Sequence, residues 1–266
     1  MPSSSPERSN GAGGRSLDPA TRRSARIAGV WWLITFATSI PALLLYDPLL
    51  NDSNYILGAG AETRIELGAF LEVGLVISGI ATAVVMYPVL KRQSQSMALG
   101  YVGCRIVESC MIAVGIVSVL SVLTLRDDLA GATGADAATL GTVGRSLVAV
   151  HDATFLLGPA FCAAVGNGIL LGYLMFRSGL VPRRMAMIGL VGGPLALVTA
   201  TAVLFGAWEQ TSATGFFFTL PEAVWEFSLG VYLVVKGYKV SAPLLSERPR
   251  AETDEDDAFS PLVAAP

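Results

Sequence analysis

A single histidine, His151, is all the imidazole in this chain of 266 residues, so a metal site built from several histidines is excluded. Cysteine is nearly as scarce. Cys104 and Cys110 lie six apart in one apolar stretch and Cys162 lies in another. Side chains six apart on a helix point to separate faces, so the first two cannot bridge each other, and all three read as small packing residues. Charge is the third shortage. Only 15% of residues are charged against 53% hydrophobic, with a mean hydropathy of +0.59. A water-soluble domain needs more polar surface than that. There is no Gly-x-Ser-x-Gly elbow, no His-Glu-x-x-His zinc helix and no phosphate-binding loop. No catalytic residue, metal ligand or cofactor is therefore assigned. The arginines of the N-terminal tail have no folded nucleic-acid reader beside them, so lipid, and not nucleic acid, is their expected partner.

What the chain has in quantity is apolar length. Six runs, at about 27–46, 65–90, 97–125, 147–176, 186–207 and 216–235, can each cross roughly 30 Å of hydrocarbon as a helix. The predicted fold class is all-α, a six-transmembrane-helix bundle. Residues 1–24 read as a disordered tail, 25–239 as the membrane domain and 240–266 as a second, acidic disordered tail. Asp47-Pro48 ends the first run, and Trp31 and Trp32 are expected as interfacial anchors. The Ala-, Gly- and Thr-rich segment before Arg145 reads as a loop, and Ser178 to Pro182 as a tight turn.

Orientation follows from basic residues. The N-terminal tail, the second connection, the fourth connection and the C-terminal tail hold 5, 2, 3 and 4 Lys and Arg, 14 in all. The other connections hold only Arg64, Arg126 and Arg145. That bias puts both termini in the cytoplasm, and an even number of spans agrees. A three-plus-three inverted repeat has little behind it beyond Pro41 in one half and Pro159 in the other, and none is assigned.

Several spans nevertheless carry polar residues. At about 1.5 Å per residue from the cytoplasmic ends, Arg105 lies roughly 12 Å deep, Glu108 about 16, Asn167 and Glu226 about 15, and Glu222 about 20. Pro194, in Gly192-Gly193-Pro194, falls near 15 Å, whereas Glu72 is about 27 Å in. An arginine in hydrocarbon keeps its charge and needs a carboxylate. Glu108 shares its helix face at i+3, and Glu226 is the best candidate from another helix. Glu222 and Glu226 stack four apart and, in a low dielectric, are not expected to be ionised together. The candidate binding residues are thus Arg105, Glu108, Glu222, Glu226, Asn167 and Glu72. His151-Asp152, near the outer end of the fourth span, do not orient one another, and His151 is expected at the interface.

Three function classes stay open: binding or transport-like handling of a proton or a small polar ligand; a non-catalytic structural or regulatory membrane component; and an intramembrane enzyme, which would need His151 or the glutamates to face a water-filled cavity. Small-residue spacings at Gly29, Gly100-x-x-Gly103 and Gly168-x-x-x-Gly172 point to close helix packing and leave the oligomeric state open.

Four segments carry a resemblance. They are Ala25-Arg26-Ile27-Ala28-Gly29, Tyr101 to Glu108 with its Arg-x-x-Glu, Gly172 through Arg183, and Glu226 through Gly237. In order and spacing the chain resembles bacterial domain-of-unknown-function family 4386, six-span integral membrane proteins, over residues 25 to 239. The resemblance implies a multi-pass protein of a bacterial cytoplasmic membrane and carries over no catalytic residue.

Overall fold

A computed structural model describes residues 17–246 except 53, 59–61, 130 and 132. Six long apolar helices are present: α1 Pro19–Asn51, α2 Glu62–Leu90, α3 Gln95–Asp128, α4 Gly134–Ser178, α5 Arg183–Leu204 and α6 Ala213–Val235. A 3-10 turn, Tyr55–Leu57, follows α1, and a last single turn, Pro243–Ser246, closes the described chain. Among the described residues there is no strand.

The helix starts are set by local chemistry. The Asp18 carboxylate accepts from the Thr21 amide at 3.3 Å and Pro19 takes the first position, where a missing N–H costs nothing. Consequently residues 19–24, expected in the N-terminal tail, belong to α1; residues 1–16 lie outside the described residues. Ser94 and Ser212 cap α3 and α6 in the same way. Gly179 ends α4 with φ +67, a left-handed conformation that suits glycine, so the tight turn stands where it was expected. At the other end of the chain, Tyr238 and Ala242 are buried and the Lys239 amide donates to the Leu180 carbonyl. Ala242 and Leu244 therefore anchor the start of the predicted acidic tail, of which residues 247–266 fall outside the description.

Each helix packs on its neighbours in chain order, and α6 returns against α1, so the six form a closed antiparallel ring. The closure is tight. A Cβ on Gly29 would stand 2.7 Å from the Val234 amide nitrogen and 2.8 Å from the Gly230 carbonyl oxygen. Small-residue packing here serves a contact within the chain. Ala25 meets Gly237, and Arg92 donates to the Leu244 carbonyl, so both described ends and the second and fourth connections share one face, called here the terminal face.

The ring interior is layered. Next to the terminal face, Trp32, Tyr101, Leu171, Met175, Trp225 and Leu233 form one apolar core; towards the opposite face, Tyr46, Leu49, Ile65, Ile112, Ile116 and Val119 form another. Polar side chains lie between the two. Trp32, expected at the interface, belongs to the first core and is buried. Outward, Phe70, Phe205, Phe216 and Phe217 are each at least 70% exposed, which suits a hydrocarbon solvent.

Two local departures matter for the site. Residues expected as a loop before Arg145 are helical from Gly134, and Gly144 lets Ile56 approach to 2.8 Å from its ideal Cβ. Further along α4 the winding turns from α to π over Leu156–Cys162 and Ala164–Leu171. Pro159 cannot donate a backbone hydrogen bond, and wide turns of this kind re-aim side chains and carbonyls in the middle of a helix.

Candidate functional site

The polar layer has two halves. The first joins α1, α2 and α3. Arg105 Nη1 meets Glu108 Oε2 at 2.8 Å on its own helix, and its Nε donates to the Gly79 carbonyl of α2 at 3.3 Å. Its guanidinium carbon sits 5.2 Å from the Trp32 ring centroid on α1, in range for a cation–π contact. This approach requires a bare backbone at residue 79: a Cβ there would be 2.9 Å from Ser109 Oγ and 3.1 Å from Arg105 Nη2. The arginine is thus satisfied by a carboxylate, a carbonyl and a ring from three helices.

The second half joins α4, α5 and α6. Asn167 Nδ2 donates to Glu226 Oε1 at 2.7 Å, and Trp225 Nε1 donates to the Asn167 carbonyl at 3.0 Å. One turn earlier on α6, the carboxylate of Glu222 is wedged between two glycines. Its Oε2 lies 2.6 Å from the ideal Cβ of Gly168 and 2.9 Å from that of Gly192. Gly168 and Gly193 are in backbone contact as well, the ideal Cβ of Gly168 falling 2.3 Å from the Gly193 Cα. Side chains at these positions would push α4, α5 and α6 apart.

Partners are unevenly shared between the halves. Both carboxylate oxygens of Glu222 and the Oδ1 of Asn167 are buried without a hydrogen-bond partner. Such groups are costly in a low dielectric. Glu226 is half-buried and within electrostatic reach of Arg105 and Glu108, and Glu222 is within reach of Glu226 and Glu108. Arg105 is therefore within reach of two carboxylates, Glu108 on its own helix and Glu226 across the ring.

Of the residues singled out in the sequence, Arg105, Glu108, Asn167, Glu222 and Glu226 come together in this layer. The expected contact between Arg105 and Glu226 is only electrostatic: Arg105 closes on Glu108, and Glu226 is held by Asn167. Glu72 does not join them. It accepts from the Tyr46 hydroxyl at 2.9 Å in the opposite apolar core. His151, expected at the interface, is buried there too. Gly79 and Trp225 are not singled out in the sequence, Trp32 is expected at the interface, and Gly168, Gly192 and Gly193 read as packing or backbone features whose contact with Glu222 no spacing reveals. Among the described residues no three His, Cys, Asp or Glu side chains are grouped as metal ligands.

Two cavities, of about 180 and 340 Å³, open at the face opposite the termini, one beside Tyr55 and Arg145, the other beside Glu62 and Arg126. Neither is lined by a residue of the polar layer.

No curated protein and no solved structure matches the chain. A family model does match, over residues 27–237, which takes in α1 from Ile27 on, the other five helices and both halves of the polar layer. The chain therefore belongs to the family described as domain of unknown function DUF4386.

Proposed function

We propose that this multi-pass membrane protein binds a proton or a small donor-bearing polar ligand at the α4–α5–α6 seam, in a transport-like role. Both termini face the cytoplasm of a bacterial cell, following the segregation of Lys and Arg. The observation that carries the reading is Glu222: a buried carboxylate with two unpartnered oxygens, beside an unpartnered Asn167 Oδ1. A group left so in hydrocarbon requires a proton or a hydrogen-bond donor. Glycines on two helices and the π-wound stretch of α4 keep that seat open to the carboxylate and closed to side chains.

The Arg105 half supports a different role. Its ion pair is complete within α3, and its remaining contacts tie α1 and α2 to that helix. Arg105 and Glu108 act as a strut, and their charge sets the field in which Glu222 and Glu226 work. The test is proton or amine flux in proteoliposomes with Glu222→Gln and Glu226→Gln. Loss of a pH-dependent flux in both, with the thermal midpoint retained, supports the reading; unchanged flux in both overturns it in favour of a structural or regulatory component.

A further inference from the structure

A second group of titratable side chains, on the other side of the ring interior, belongs to no part of this seam. Tyr46 of α1, Glu72 of α2 and His151 of α4 converge in the apolar core towards the face opposite the termini. The Tyr46 hydroxyl donates to Glu72 Oε2 at 2.9 Å, and the Tyr46 and His151 rings meet edge to face, centroids 5.7 Å apart and planes at 89°. His151 is 5% exposed, and its Nδ1 is buried without a hydrogen-bond partner. Glu72 lies within electrostatic reach of it.

We propose that Tyr46, Glu72 and His151 form a second proton-binding station, filled from the face opposite the termini. It stands independently of the inner seam. Height and access argue for this. Along their helices Glu72 lies about 27 Å and Tyr46 about 30 Å from the terminal ends of the spans, which is the far edge of a hydrocarbon layer of roughly 30 Å. The exposed Asp152 carboxylate is 3.5 Å from Nδ1, too long for a hydrogen bond yet close enough to lead a proton from water to that nitrogen. The charge so formed on the imidazole faces the Glu72 carboxylate and the Tyr46 ring.

The surroundings are otherwise uncharged. α3 meets His151 with Gly115, whose ideal Cβ would stand 3.4 Å from His151 Cδ2 and 2.9 Å from Thr154 Oγ1. The nearest carboxylate of α3, Glu108, is about 10 Å further along its axis. On the 3-10 turn, Tyr55 is taken up by Arg126, 4.8 Å from its ring centroid, and Arg126 in turn pairs with Glu62. Glu72 is thus the carboxylate that faces His151 from within the ring, and Asp152 the one beside it from outside.

The chain has one histidine, so isotope-labelled histidine gives one imidazole signal. The full chain, with a histidine-free affinity tag, is placed in proteoliposomes and the pH set separately on each side. We expect the imidazole signal to titrate with the pH on the side opposite the termini. Glu72→Gln should change the imidazole signal most and Tyr46→Phe less, since Glu72 is a charged group facing the ring and Tyr46 meets it only edge to face. Glu226→Gln should leave the titration in place, which separates this station from the seam. An imidazole that does not titrate, that follows the terminal side, or that is moved more by Asp152→Asn than by Glu72→Gln overturns the proposal. Tyr46→Phe keeps the test open should Glu72→Gln fail to fold.

Discussion

The Oε2 atom of Glu222 stands 2.6 Å from where a Cβ on Gly168 would be, so the carboxylate of α6 and the bare backbone of α4 fill one space. Glycine is generally a weak helix residue, and here it is retained because anything larger displaces a buried acid and the Gly193 backbone together. Gly168→Ala should lower stability by about 2–3 kcal/mol, as overpacking does. Gly103→Ala, with nothing within 4 Å, should leave the thermal midpoint in detergent unchanged or slightly raised. Equal behaviour of the two variants would mean that α4 and α5 are not in backbone contact.

Arg105 and Glu108 form a complete buried pair, so removing one partner strands the other. Arg105→Leu should cost about 3 kcal/mol, and Arg105→Leu with Glu108→Leu should recover most of it. Chemical or thermal denaturation of the two single variants and the double one measures the coupling. Additive losses would show that Arg105 leans on Glu226 instead.

Tyr238 lies beyond the end of α6, buried, its hydroxyl without a partner, and burial holds its phenol above the usual range. A raised folded value means that the neutral phenol is favoured in the fold. Its contribution is fully present below the unfolded value near 10 and is lost as pH rises above it. Tyr238→Phe, which removes no hydrogen bond, should therefore match the parent at pH 7 and outlast it above about pH 10 in thermal melts.

Sidedness can be read by labelling. In a background with Cys104, Cys110 and Cys162 changed to Ala, Lys239→Cys should react with an impermeant maleimide only after cells are opened. Asp136→Cys, near the start of α4 on the opposite face, should react in intact cells. The reverse pattern would invert the assignment drawn from the basic residues.

Sequence alone was enough for the six helices, because span length and hydropathy are properties of single segments. Helical spacing put Arg105 and Glu108 on one face, but it also left Glu226 of another helix as a partner, and the structure closes the pair within α3. Extents were harder. Arg22 and Arg23 looked like tail until Asp18 and Pro19 supplied a helix start, and the segment from Gly134 is helical despite its loop-like composition. Partners between helices could not be read at all. Which acid meets Arg105 and which meets Asn167 depends on ring order and on each helix's rotation about its axis. His151 shows this best: its burial comes from Tyr46, about a hundred positions away in the chain.

The seam of Gly29 against Gly230 has a consequence for how the molecule is made. The first helix to leave the ribosome must wait for the last before its bare flank is covered, so five inserted helices are still an open crescent exposed to lipid. The acids of α6 enter with the closing piece, onto glycine seats already built by α4 and α5. A chain that lacked everything from residue 213 on would leave the bare flank of α1 at Gly29 without its cover.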